Sequence, residues 1–115
     1  MTVLANITGE LRGNMAIAHV IGEIDASNVV WVEERIRTPL TNRCDGLAVD
    51  LTATTYLDSA GIAMLFRLAA ELRQHQHEPE LLLVLAEGSP VARMASLTGL
   101  ASAVPTHATL DAALG

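Results

Sequence analysis

The chain has 115 residues, half of them hydrophobic, a size that makes one domain with its own core and leaves no room for a second. Thirteen acidic residues stand against seven arginines and no lysine, a formal charge of -6, which argues against direct nucleic-acid binding and against an anionic lipid surface. Aromatic residues make up 3% of the chain, too few for a platform on which single-stranded nucleic acid could stack.

Val3 to Leu11 and Met15 to Ile21 have the pattern of two strands, with Gly13-Asn14 as a tight reversal between them. After Gly22-Glu23-Ile24, Asp25 is the expected N-cap of a helix with Val29, Val32, Ile36 and Leu40 on one face, which Pro39 disrupts near its end. Trp31 projects away from that stripe and is a candidate partner or dimer contact. Cys44 is the only cysteine, so it has no thiol with which to form a disulfide or a metal pair.

Leu47 to Leu51 reads as a short strand containing Asp50, and the threonines after it as a loop reaching Leu57. A second helix is expected from Ser59 to about His77, with Ile62, Leu65, Phe66, Ala69 and Leu72 along one stripe. On that spacing Met64 falls on the polar side, between Arg67 and Glu71, as an exposed contact beside Ser59. His75 and His77 have too few fixed neighbours for a metal site, and no cofactor is called for.

Leu81 to Leu85 has the continuous apolar run of a strand covered on both faces. Ser89-Pro90 opens a third helix and Gly99 closes it, with Val91, Met94 and Leu97 expected to face the core. A last strand near Val104 and a short helix from Thr109 to Leu114 follow. Strands alternating with helices after a hairpin predict an α/β domain spanning 1–115: a mixed central sheet with about four helices packed on it. No apolar stretch approaches the roughly 18 residues of a membrane span, and no basic segment leads into an apolar run near the start, so a cytoplasmic protein is expected.

The segment Tyr56-Leu57-Asp58-Ser59-Ala60-Gly61-Ile62 is the most informative. Asp58 or Ser59 serves as a helix cap, and the amides at the helix start are available to an anion. Gly61 costs about 1 kcal/mol against alanine inside a helix, so it requires a close approach by a neighbouring strand, another chain or a ligand. A catalytic serine lacks support, because Ser59 has no Gly-x-Ser-x-Gly elbow and no histidine that can be placed beside it. Asp50 at a strand end has the place of a receiver-domain phosphoacceptor, but a receiver needs a lysine and this chain has none.

Gly22-Glu23-Ile24-Asp25, Val49-Asp50-Leu51, Leu57-Asp58-Ser59-Ala60-Gly61-Ile62 and the helix end Met94 to Leu100 together resemble the STAS domain, in order and over nearly the whole chain. The small single-domain members of that family are anti-sigma factor antagonists. The resemblance implies a non-enzymatic partner-switching regulator. An anti-sigma factor that is also a serine kinase would bind it, releasing a sigma factor, and would phosphorylate Ser59, the serine after the motif aspartate. A serine phosphatase would reset it. Asp25, Asp58, Ala60 and Gly61 would belong to the same partner surface, to which the spacing adds Met64 and Trp31. Ala60 departs from the family, which often carries a second hydroxyl there. The alternative implied by the same resemblance is a STAS subunit docked on the ATPase of an ABC lipid transporter. The sequence leaves the oligomeric state open.

Overall fold

The computed structural model describes residues 4–115, so Val3, the expected first strand residue, lies outside them. Strands β1 (Ala5–Arg12) and β2 (Met15–Ile24) form the hairpin, turning at Gly13, whose φ of 58° is left-handed. Helix α1 (Val29–Arg37) then leads to β3 (Gly46–Asp50), and β4 (Thr54–Leu57) to helix α2 (Ser59–Leu72). After β5 (Glu80–Val84) come α3 (Pro90–Leu97), α4 (Leu100–Ala103), the short β6 (Thr106–His107) and α5 (Leu110–Leu114).

The sheet runs β1-β2-β3-β5-β6, with β4 pairing β2 beyond the end of β3. Only β1–β2 is antiparallel; the β2–β3, β2–β4, β3–β5 and β5–β6 pairs are parallel, so the predicted mixed sheet is present. One face carries the main core, in which Ala16, Ala18 and Val20 of β2 and Leu47 and Val49 of β3 meet Val32, Ile36, Leu65 and Leu68 of the helices. On the other face Ile17, Ala48 and Leu82 pack under α5 through Leu110, Ala113 and Leu114. β5 is thus covered on both sides, as its unbroken apolar run requires.

Several sequence expectations are corrected. The threonine segment is not all loop: Thr54–Leu57 is a strand, its Thr54 hydroxyl buried and donating to Val20 O at 2.8 Å. α2 ends at Leu72, so His75 and His77 lie in the turns beyond it. Asp25 does not cap α1; Asn28 holds that position, without a side-chain cap bond. Met64 is fully buried, whereas Phe66 is 37% exposed. Leu97 is 76% exposed, and Ala95 takes the expected place in the core. The helices number five in the described residues, α4 being a single turn that Gly99, at φ 83°, sets off from α3. By contrast Ser89 caps α3 with Pro90 at its first position, as the sequence indicates.

Candidate functional site

The ends of β2 and β4 lie side by side, and this brings the two motif segments together. Asp58 N donates to Ile24 O at 3.3 Å, and the Asp58 carboxylate accepts from Ala26 N at 3.3 Å. Gly22 makes the approach possible. At φ 112° it adopts a backbone that side chains avoid, and a Cβ there would run into Leu4 O. The register of β2 against β4 shifts between Gly22 and Glu23, so the chain bends as it leaves the sheet toward Asp25.

Asp25 organises the loop rather than the helix. Its Oδ1 accepts from the Ser27 amide at 2.8 Å and from the Ser27 hydroxyl. Those bonds, the hydroxyl first, hold its carboxyl below the usual aspartate range, so it is ionised at neutral pH. Asn28 closes the loop, accepting from Asp25 N and donating to Glu23 O, each at 2.9 Å. Ser27 and Asn28 did not emerge from the sequence analysis. The signal was the string Asp-Ala-Ser-Asn, whose short polar side chains favour backbone turns over helix.

Asp58 is the N-cap of α2. Its Oδ1 accepts from Ala60 N at 2.9 Å and Gly61 N at 3.2 Å, while its backbone carbonyl accepts from Ile62 N. These amides are therefore already engaged, which corrects the expectation of a free anion cradle at this helix start. Ser59 is the first residue of α2 and is exposed; Asp58, Asp25 and Ala60 beside it are partly exposed. The segments 24–28 and 58–63 contain no basic residue, so an anion on Ser59 would find carboxylates and no arginine from them.

Gly61 is buried, and its reason is internal. A Cβ there would overlap Leu57 Cδ1 and come within 3.1 Å of Ile24 Cγ2, so only glycine lets α2 rest on the ends of β4 and β2. Gly61 thus shapes the surface from beneath. Met64, buried one turn on, is likewise removed from it. Trp31 is 39% exposed but sits on the flank of α1 away from α2: its neighbour on that flank is Arg35, with Cζ 5.3 Å from the indole centroid. The opposite flank faces α2, where Glu33 pairs with Arg67 at 2.7 Å and Arg37 pairs with Glu71. Of the sequence-derived set, Asp25, Asp58, Ser59 and Ala60 lie together at this surface, whereas Gly61 and Met64 are buried and Trp31 is partly exposed on α1.

No group of three or more histidine, cysteine or acidic side chains among the described residues is arranged to hold a metal ion. No helix among them is long and apolar enough to cross a membrane.

The family model of the STAS domain matches residues 6–113. No curated relative matches the sequence. Among solved structures, an anti-sigma factor antagonist from Mycobacterium paratuberculosis is similar over 96% of this chain and 91% of its own, at 28% identity and a TM-score of 0.80. SpoIIAA, an anti-sigma factor antagonist, in its unphosphorylated form matches 95% of this chain and 94% of its own at 18% identity and a TM-score of 0.67. The Bacillus cell fate determinant SpoIIAA in its phosphorylated form matches 95% and 96% at 18% identity and a TM-score of 0.60. The two SpoIIAA likenesses speak to the fold alone. With its hairpin, its parallel strands and the Asp58-capped α2 all within the matched span, the chain belongs to the STAS domain family.

Proposed function

We propose that the protein is an anti-sigma factor antagonist. It binds an anti-sigma factor serine kinase, which frees a sigma factor, and phosphorylation of Ser59 by that kinase switches the binding off. The observation that carries the reading is the exposed Ser59 hydroxyl at the first position of α2, between the ionised Asp25 loop and the capping Asp58. Support also comes from the likeness, over 96% of the chain, to the mycobacterial anti-sigma factor antagonist, and from the existence of a phosphorylated form of a protein with this fold.

The switch is electrostatic. A phosphoryl group adds about -1.5 to -2 charges at neutral pH, on a surface that already carries Asp25 and Asp58 and whose helix amides Asp58 occupies. The modified domain keeps its fold, because the new anion stands at a helix N-terminus, where negative charge is favoured. A kinase surface complementary to the unmodified site then meets concentrated negative charge and lets go. A serine phosphatase restores the hydroxyl, and the cycle operates in the cytoplasm.

Affinity purification of the tagged protein, with intact-mass and phosphopeptide analysis, tests the partner and the modification together. The expected catch is an anti-sigma factor kinase with phosphate on Ser59. An ABC ATPase with unmodified Ser59 would make the same surface a transporter docking site. In calorimetric titrations with the kinase, Ser59→Ala should bind as the unmodified protein does and take up no phosphate. Ser59→Asp should bind at least about tenfold more weakly, a change of about 1.4 kcal/mol. Equal affinities of the two variants would sink the electrostatic account.

A further inference from the structure

β1 ends the sheet, and no strand among the described residues pairs with its outer side. The bond from Glu23 N to Leu4 O fixes the direction of its polar groups. Bonded and non-bonded pairs alternate along an antiparallel ladder. With Thr8 opposite His19 and Arg12 opposite Met15, the even-numbered residues bond β2, so Ile7, Gly9 and Leu11 turn N–H and C=O outward at the surface, while Ala5 in the same phase is buried. An edge of this length with no proline, lysine or bulge is a template for another strand.

A flank of α1 runs above that edge. Trp31, Arg35 and Thr38 share this flank by helical spacing, while Glu33 and Arg37 face α2. Arg35, Thr38 and Pro39 line a groove of about 460 Å³ together with Ile7, Gly9 and Leu11. Leu11 is 54% exposed and Trp31 39%. Tryptophan and arginine are the side chains that most often dominate protein interfaces.

We infer that this edge is a homodimer interface in which two copies pair their β1 strands antiparallel about a two-fold axis at Gly9, joining the two sheets. The sequence of β1 is self-complementary in that register: Ile7 falls opposite Leu11 of the second copy, Thr8 opposite Glu10 and Asn6 opposite Arg12. Apolar meets apolar, and no like charges are opposed. Charge permits this edge: two copies of a chain with formal charge -6 repel, but the one carboxylate of β1, Glu10, is paired within its own copy with Arg12 at 2.7 Å and with His19 at 2.8 Å, so the contact brings no unpaired carboxylates together. A contact that repeats on both copies also closes as a dimer and leaves no open end. The interface uses none of the Ser59 surface and stands independently of the proposed switch.

Sedimentation equilibrium from about 1 µM to about 1 mM, the span of weak to moderate affinities, should show a monomer–dimer equilibrium. Across the same range, amide exchange at Ile7, Gly9 and Leu11 should slow at least about tenfold on dimerisation, while amides bonded to β2 change little. Leu11→Pro removes one outward donor from a largely exposed position and should weaken the dimer at least about tenfold with melting unchanged. A monomer throughout, a dimer whose three outward amides exchange as in the monomer, or a folded Leu11→Pro protein that dimerises undiminished would overturn the inference. If Leu11→Pro does not fold, the exchange data on the unmodified protein decide alone.

Discussion

His19 is a side chain whose position gained meaning only from its neighbours in space. Its Nδ1 lies 2.8 Å from Asp50 Oδ2 and its Nε2 2.8 Å from Glu10 Oε2, across β3 and β1 respectively. Ionised carboxylates can only accept, so the protonated ring, which donates from both nitrogens, is the form that satisfies both partners. Burial opposes that charge, but the bonds to Glu10 and Asp50 outweigh it and raise the His19 pKa. For Asp50, burial opposes ionisation too, yet the Thr52 hydroxyl and amide and then His19 hold its carboxyl below the usual range. Glu10 is lowered by its bonds to His19 and Arg12. The unfolded imidazole titrates near 6.5, so the stability His19 supplies is fully present below about that pH and is lost as pH rises through its higher folded value. The two carboxylates act in the opposite sense: what they supply is present above about pH 4 to 4.5 and is lost as pH falls through their lowered values. Thermal melts of the protein and of His19→Gln from pH 5 to 9 should therefore show the largest gap near the acid side of neutrality, narrowing toward pH 9. A gap constant across the range would show that His19 is not held charged. The sequence displayed His19 inside a strand pattern, but pairing across three strands is a property of register, which no local pattern carries.

At the scale of elements, α2 shows why its start was legible and its buried face was not. Asp58 before a helical run is a local signal, and it does cap the helix. The width of the buried face depends on what lies beside the helix. α2 rests on the sheet with α1 along one flank, tied by Glu33–Arg67 and Arg37–Glu71, and just past its end Arg73 donates to Ala103 O, at the last residue of α4. Met64 is thereby enclosed although its spacing is that of a polar face. Gly61→Ala tests the packing beneath the site. Alanine gains about 1 kcal/mol of helix propensity, but its methyl group must displace Leu57 and Ile24, and overpacking of this kind costs about 1–3 kcal/mol. Denaturant unfolding should therefore find Gly61→Ala less stable than the parent. A more stable variant would mean that the helix start can lift off β4 at no cost. β4 reads as loop in the sequence because four residues are too few for a periodic signal, although Thr-Thr-Tyr is favourable strand composition. What makes it a strand is β2 alongside it, continuing past the end of β3.

On the scale of the whole molecule, the formal charge of -6 sets the terms of association. If local repulsion is what releases the kinase, it is a screened interaction, with a Debye length of about 10 Å at 0.1 M salt and about 3 Å at 1 M. Raising salt should therefore shrink the affinity gap between Ser59→Ala and Ser59→Asp in binding titrations. A gap independent of salt would point to a steric or conformational block instead. The hairpin turn, the order of the longer strands and helices without β4 and α4, a cap at Asp58 or Ser59, the Ser89 cap and the break at Gly99 were legible in the sequence alone, because each is written within a few consecutive residues as backbone preference, capping chemistry or apolar period. The tertiary structure alone decided that Asp25 meets Asp58 through the adjoining loops, that Gly61 answers to Leu57, that His19 bridges two carboxylates and that Trp31 stacks under Arg35. These are contacts in space, and they exist only once strand register and helix packing have been chosen.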